Sequence, residues 1–96
     1  MRLLTPEDFE PWLGRQVRIN TLPKPVEVLL ARVERMPRLI GFDVRERFRL
    51  TFEAHPSVLL MDTTYEFDCG RGGPHPIHIS QITPTPNARR YQAIFT

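Results

Sequence analysis

Most of the chain alternates between apolar and polar residues with a period of two, the pattern of a β-strand with one buried side. The clearest case is ERFRLTFEA, residues 46–54, whose apolar residues share one side of the predicted strand: Phe48, Leu50, Phe52 and Ala54. The same alternation recurs in RQVRIN (15–20), TTYEFDCG (63–70), PIHISQI (76–82) and RRYQAIFT (89–96). We therefore predict a series of short strands.

The segment VEVLLARVERM, residues 26–36, fits two structures. Its apolar positions fit one face of a helix. They also fit a long strand in which Val26, Val28 and Leu30 precede a change of phase at a bulge. Because β-branched residues lead the segment and further strands follow, we predict the strand.

A short helix is predicted in TPEDFEPWLG, residues 5–14. Thr5 is a favourable N-cap, the following proline fits the first helical position, and Asp8 lies where a capping box places its acidic residue. Phe9 and Trp12 share one side of this helix. They are either a stripe that contacts a partner or a lid on the sheet, and the lid is the favoured interpretation.

Six or seven short strands, spaced about 8–14 residues apart, predict a mainly β, antiparallel fold with one short N-terminal helix. No long helical pattern is available for parallel crossovers. The fold class is thus a small sandwich or a partly closed barrel. With 96 residues, the chain is expected to form a single domain over 1–96.

Composition bounds the cellular setting. Cys69 is the single cysteine, so no internal disulfide can form. The first residues lack the apolar run of a signal peptide, and the longest apolar run is VLLM, residues 58–61. A membrane helix needs roughly 20 apolar residues. We expect a soluble, cytoplasmic protein with no membrane partner.

The loop DCGRGGPHPIHIS, residues 68–80, concentrates cysteine, histidine and glycine. Alternation places Cys69 on the inner side of its strand and His78 on the outer side of the next, so no metal site is predicted. GRGG is followed by proline and a strand rather than by a phosphate-binding helix, which favours a turn. Arg71 at its tip is a candidate anion contact.

No catalytic constellation is evident. Ser57 and Ser80 lack the G-x-S-x-G elbow of serine hydrolases. Glu66 and Asp68 lie on an open strand face rather than in the secluded cleft that acid–base catalysis needs. We therefore predict no enzymatic activity and no cofactor.

The charge is mildly basic, with 13 Lys and Arg against 11 Asp and Glu. Arg45, Arg47 and Arg49 are predicted on one side of a strand, where a ladder of arginines could follow a phosphate backbone. The acidic residues expected to offset them through cross-strand pairs are Glu34, Glu46 and Glu53. Weak nucleic-acid binding through this face is the alternative function.

Four stretches, taken in order, resemble a family of small bacterial proteins known only as a domain of unknown function: LTPEDFEPWLG, ERFRLTFEA, TYEFDCG and RRYQAIF. The chain departs from that pattern at ISQITPTP and at Gln92. The resemblance implies a small β-rich domain without a known activity or defined catalytic residues. It also implies a connection with phage-tail-like collar proteins, and hence an assembly or accessory role.

The leading hypothesis is a non-enzymatic interaction or assembly module that binds a protein partner. It rests on the helix-capped sheet, the absence of a catalytic constellation and the aromatic-rich ends of the chain. An exposed edge of a small sheet can recruit a strand of another protein.

Overall fold

The computed structural model describes residues 4–36, 47–68 and 74–95. Within them, six antiparallel strands form a closed barrel preceded by a short helix, which confirms the mainly β prediction and selects the barrel over the sandwich. The helix α1 is followed by one 3₁₀ turn, and the elements are α1 (Pro6–Phe9), the 3₁₀ turn (Glu10–Trp12), β1 (Gln16–Ile19), β2 (Val26–Arg35), β3 (Phe48–Ala54), β4 (Thr63–Asp68), β5 (His75–Thr85) and β6 (Ala88–Phe95).

The strands follow one another around the barrel in the order β1-β2-β3-β6-β5-β4, and β4 pairs with β1 to close it. The connection from β3 to β4 crosses one end of the barrel, since these strands are not neighbours. The seam between β1 and β4 is short, with Arg18 opposite Asp68 and Ile19 opposite Phe67. Closure removes most of the strand edge that an open sheet would expose.

Residues 26–35 form strand β2 and not a helix. The register against β3 shifts between Leu30 and Arg32, so Ala31 is the extra residue of a bulge. Val28 and Leu30 are buried before the bulge, and Val33 packs against the core after it. The inserted residue moves the inward-facing phase of the strand from Val28 and Leu30 to Val33, which is the predicted change of phase.

Strand β5 continues beyond the predicted segment PIHISQI, residues 76–82. It extends to Thr85, and the turn occupies residues 86–87. The register between β5 and β6 is irregular between Ile82 and Thr85, and Pro84 lies within that irregularity. A proline is tolerated there because the regular ladder, which would need its missing N–H, is already interrupted.

Helix α1 covers one end of the barrel, which we call the helix end. The rings of Phe48 and Phe95 stack with their centroids 4.5 Å apart, and Phe9 lies 6.0 Å and 5.7 Å from them. The helix begins as predicted: Pro6 is in its first turn, and the Thr5 amide donates to the Asp8 carboxylate over 2.9 Å. A helix of one turn is not stable alone, so packing of its aromatic residue holds it.

An ion-pair cluster also ties the helix to the barrel. Arg35 at the end of β2 donates to the Glu7 carboxylate over 3.0 Å and lies 3.5 Å from that of Glu10. These three side chains are partly exposed. Exposed pairs contribute little each, so the cluster orients the helix more than it stabilises it.

The opposite end, which we call the open end, is crossed by the segment between β3 and β4, residues 55–62. Leu60 from this segment is buried and closes the core. The Tyr91 hydroxyl reaches it from inside the barrel: it donates to the Val58 carbonyl and accepts from the Leu60 amide, each over 2.9 Å. These bonds fix the crossing segment in place.

Candidate functional site

The two aromatic residues of the helix differ in exposure. Phe9 has no exposed surface, since its ring packs among those of Phe48 and Phe95. A buried ring offers nothing for a partner to contact, so Phe9 belongs to the core, as the lid interpretation had it. Trp12 is half-buried and packs against the same core.

The predicted arginine face is divided by an acidic side chain. Arg49 donates to both carboxylate oxygens of Glu34, over 3.0 Å and 3.1 Å, and Arg32 lies 3.4 Å from the same carboxylate. Arg47 is half-buried. Arg45 and Arg71, the other candidates for anion contact, lie outside the described residues. Among its described residues, this face thus holds an Arg–Glu–Arg group across β2 and β3.

The pKa of the Glu34 carboxyl is lowered from its usual 4.5, first by the hydrogen bonds from Arg49 and further by those from Arg32, against an opposing effect of burial. Because the folded pKa is below the unfolded one, this contribution to stability is present above about pH 4.5 and is lost as the pH falls through the folded value. We expect R49Q to raise the Glu34 midpoint toward 4.5 in a carboxyl ¹³C NMR titration.

The matched control for that titration is R90Q. Arg90 lies opposite Glu53 on the neighbouring strand pair and makes no recorded contact with Glu34 among the described residues. Its removal should leave the Glu34 midpoint nearly unchanged. An equal midpoint in wild type and R49Q would contradict the assigned cause.

The cysteine–histidine loop is described only in part. Cys69 and Arg71 lie outside the described residues. His75 is half-buried with its ring 6.5 Å from that of Phe9, and His78 is exposed with Nδ1 3.4 Å from the Thr64 hydroxyl. Over residues 4–36, 47–68 and 74–95 no group of three His, Cys, Asp or Glu side chains is arranged to hold a metal ion.

A serine and a histidine meet in the crossing segment at the open end. His55 Nδ1 lies 2.7 Å from the Ser57 hydroxyl and accepts the Ser57 amide over 3.1 Å. The Val58 amide donates to the His55 carbonyl, which closes a tight turn. Both side chains are exposed. The other ring nitrogen of His55, Nε2, has no hydrogen bond to a described residue. The contact is therefore accounted for by the turn, since a catalytic pair also needs a group that orients the base.

A cleft that sequence reasoning missed opens at the open end, between the β1–β2 loop and the crossing segment. Its volume is about 580 Å³. The residues that line it are mostly apolar and include Leu22, Pro23, Val26, Val58, Leu59 and Tyr65. We call it the open-end cleft. The signal that was available is the apolar run VLLM, residues 58–61, which lies outside the predicted strands.

Leu22 and Leu59 of the open-end cleft are more exposed than Leu13 at 48% and Ile94 at 50%, the exposed large apolar side chains of the described surface away from the open end. Leu22 is 96% exposed and Leu59 is 64% exposed, and Met61 beyond the rim is 69% exposed. Single exposed apolar side chains are normal, but a contiguous group is typical of a binding surface.

Lys24 is the charged residue among those that line the open-end cleft. It forms no ion pair with any residue in the described ranges. The Thr21 hydroxyl donates to the Lys24 carbonyl, which closes the β1–β2 loop on itself. The cleft therefore combines an apolar lining with one uncompensated positive charge.

Comparison with known proteins identifies the family. The family described as "Domain of unknown function (DUF6916)" matches residues 4–95. The chain belongs to this family. No curated protein and no solved structure matches the chain. Since the DUF6916 description assigns no activity, the role of the chain has to be argued from its own geometry.

A search of the described part of the chain for membrane-spanning helices finds none of sufficient length and apolarity.

Proposed function

We propose that this domain is a non-enzymatic interaction or assembly module that binds a protein partner through the open-end cleft. The observation that carries the proposal is the exposure of Leu22 and Leu59, which line one cleft from two separate segments of the chain. Covering such a group removes apolar surface from water at about 25 cal/mol per Å². This gain in free energy would favour association with a protein partner.

The crossing segment is held in the shape that presents Leu59. Tyr91 bonds both neighbours of this leucine, Val58 and Leu60, from inside the barrel. On the outside, Arg89 Nε donates to the Pro56 carbonyl over 2.6 Å. A surface fixed in advance loses less conformational entropy when it binds, which favours recognition.

The remainder of the segment is fixed in the same way. The Met61 amide donates to the Tyr65 hydroxyl over 3.0 Å, and the Asp62 carboxylate accepts the Gln81 amide over 3.0 Å. Every stretch of the crossing is thus bonded to a strand of the barrel. The exposed leucine is presented by an ordered segment and not by a loose one.

The alternative, nucleic-acid binding, is less well supported. Glu34 already accepts from Arg32 and Arg49, so binding a phosphate there would require breaking existing contacts.

The wider setting we propose is that of a bacterial, cytoplasmic protein with an accessory role beside phage-tail-like proteins, as the sequence resemblance implies.

The test is a pull-down from native lysate with wild type, L59D and L13D as baits, read by quantitative mass spectrometry. Leu13 is 48% exposed and lies between α1 and β1 at the helix end, so L13D is the matched control. We expect one partner that wild type and L13D capture equally and that L59D captures at least tenfold less. Capture that L59D leaves unchanged, or no specific capture by wild type, would refute the proposal.

A further inference from the structure

The open-end cleft borders a strand position that nothing in the described part of the chain fills. Beyond the last β1–β4 pair, the Asn20 amide donates to the Glu66 carbonyl over 2.9 Å. The Thr21 amide then donates back to the Ile19 carbonyl, and the chain turns away from β4. Strand β4 continues to Thr63 without a recorded neighbour on that side.

The register between β1 and β4 shows which backbone N–H and C=O groups of β4 lack a partner strand. Along an antiparallel strand, alternate residues direct their N–H and C=O groups to the same neighbour. Since Glu66 uses its carbonyl toward β1, Thr64 directs its groups toward the same side, where β1 has ended. Thr64 is exposed, and neither of its backbone groups is recorded in a bond on that side within the described residues. An extended chain laid there would complete the ladder.

The side chains of such an added strand would meet the cleft. Tyr65 follows Thr64 directly and lines the open-end cleft, so alternate side chains of the incoming strand would enter it. The lining that they meet is aliphatic, with Leu22 on one wall and Leu59 on the other. An aliphatic side chain fits this lining better than a polar one, which would lose its hydration without gaining a partner.

The positive charge of Lys24 adds a second requirement for the incoming chain. Lys24 forms no ion pair with any described residue, and no carboxylate is among the described residues that line the cleft. A carboxylate brought by the incoming chain would therefore gain a charge-assisted contact, while an incoming cation would be repelled.

We infer that the open-end cleft takes an extended peptide segment of the partner, with an aliphatic side chain between Leu22 and Leu59 and a carboxylate that reaches Lys24. This inference rests on the proposed function, and it names the chemistry of the partner. The segment adds as a strand beside Thr64, so it is recognised through its backbone as well as through its side chains.

The test starts from random twelve-residue peptides displayed on phage, panned on wild type and depleted on L59D. Enriched sequences are expected to hold an aliphatic residue and Asp or Glu. A fluorescein-labelled synthetic peptide of the enriched sequence should bind wild type in fluorescence anisotropy. We expect K24E to weaken that binding at least tenfold, as should an amide in place of the peptide's carboxylate.

The matched control is R15E, an equal charge reversal at an exposed arginine of the helix end. It should leave the peptide affinity within twofold of wild type. Methylating the peptide's backbone nitrogens one at a time should abolish binding at the position whose N–H meets the Thr64 carbonyl and be tolerated at its two sequence neighbours, whose N–H groups point to the other side of the added strand. The Thr64 amide should shift in ¹H–¹⁵N spectra with the same peptide.

The outcomes separate the inference from the proposed function. Enriched peptides without acidic residues, K24E binding within twofold of wild type, or no effect of backbone methylation would each overturn the inference. If a partner is lost from the L59D bait but no linear fragment of it binds, the partner presents a folded surface. The interaction function then stands and the peptide inference fails.

Discussion

Replacing Phe9 with alanine is expected to lower the free energy of unfolding by about 3–5 kcal/mol, the range for deleting a fully buried phenylalanine side chain. The ring is inaccessible to solvent and contacts Phe48, Phe95 and His75. Its loss leaves a cavity at the helix end of the barrel. Because the helix spans only Pro6–Phe9, it has little to hold it once this ring is gone.

Urea unfolding monitored by circular dichroism would measure the change. The matched control is L13A, which removes an exposed leucine just after the same helix and should cost under about 0.5 kcal/mol. Trp12 follows the helix and packs against the same core, so its fluorescence should report detachment of the helix in the variant. A loss for F9A no larger than that for L13A would show that the helix does not depend on this ring.

Strand alternation was predictable because each strand of the barrel has one dry side. In β3 the residues Phe48, Leu50, Phe52 and Ala54 are all buried, as their spacing indicates. The bulge in β2 was predictable for the same reason, since Leu30 and Val33 are three positions apart and cannot both point inward in a regular strand. Local pattern therefore indicates where the strands lie and which side of each is buried, although not where each strand ends.

Closure of the barrel was not predictable from that pattern. Alternation describes each strand separately, and it carries no information about which strand lies beside which. The decisive contact is the β1–β4 seam, where Arg18 meets Asp68 fifty residues along the chain. A sandwich would satisfy the same local alternation, because both folds bury one side of every strand.

The pairing of Glu34 with arginine side chains was predictable from the sequence, while the proposed binding surface at the open-end cleft was not. A glutamate one strand away from a row of arginines is expected to pair with them, and Glu34 pairs with Arg32 and Arg49. Leu22 and Leu59, by contrast, lie in stretches that resemble ordinary linkers. Only the fold shows that the two linkers face each other across one end of the barrel.

The two ends of the barrel are covered in different ways. At the helix end, aromatic rings and the ion pairs of Arg35 cover the core. At the open end, one crossing segment performs the same task with a single buried leucine, Leu60, and leaves its neighbour Leu59 exposed. The same segment thus closes the core and presents the proposed binding surface. Any change that loosens it should affect stability and recognition together.

Replacing Tyr91 with phenylalanine tests that coupling. The hydroxyl is buried, donates to the Val58 carbonyl and accepts from the Leu60 amide. Without it, two backbone groups at the end of the core lose their partner, and an unsatisfied buried group costs about 1–3 kcal/mol. We expect Y91F to lower the free energy of unfolding by that amount and to speed hydrogen exchange of the Leu60 amide.

The matched control is Y65F, because the Tyr65 hydroxyl accepts the exposed Met61 amide, which water can satisfy in its place. Its loss should cost under about 1 kcal/mol. If the crossing segment is what orders Leu59, then Y91F should also weaken capture of the partner, although Tyr91 is buried in the barrel and does not line the cleft. Equal stability of Y91F and Y65F, with Leu60 exchange unchanged, would show that the crossing segment is held by burial of Leu60 alone.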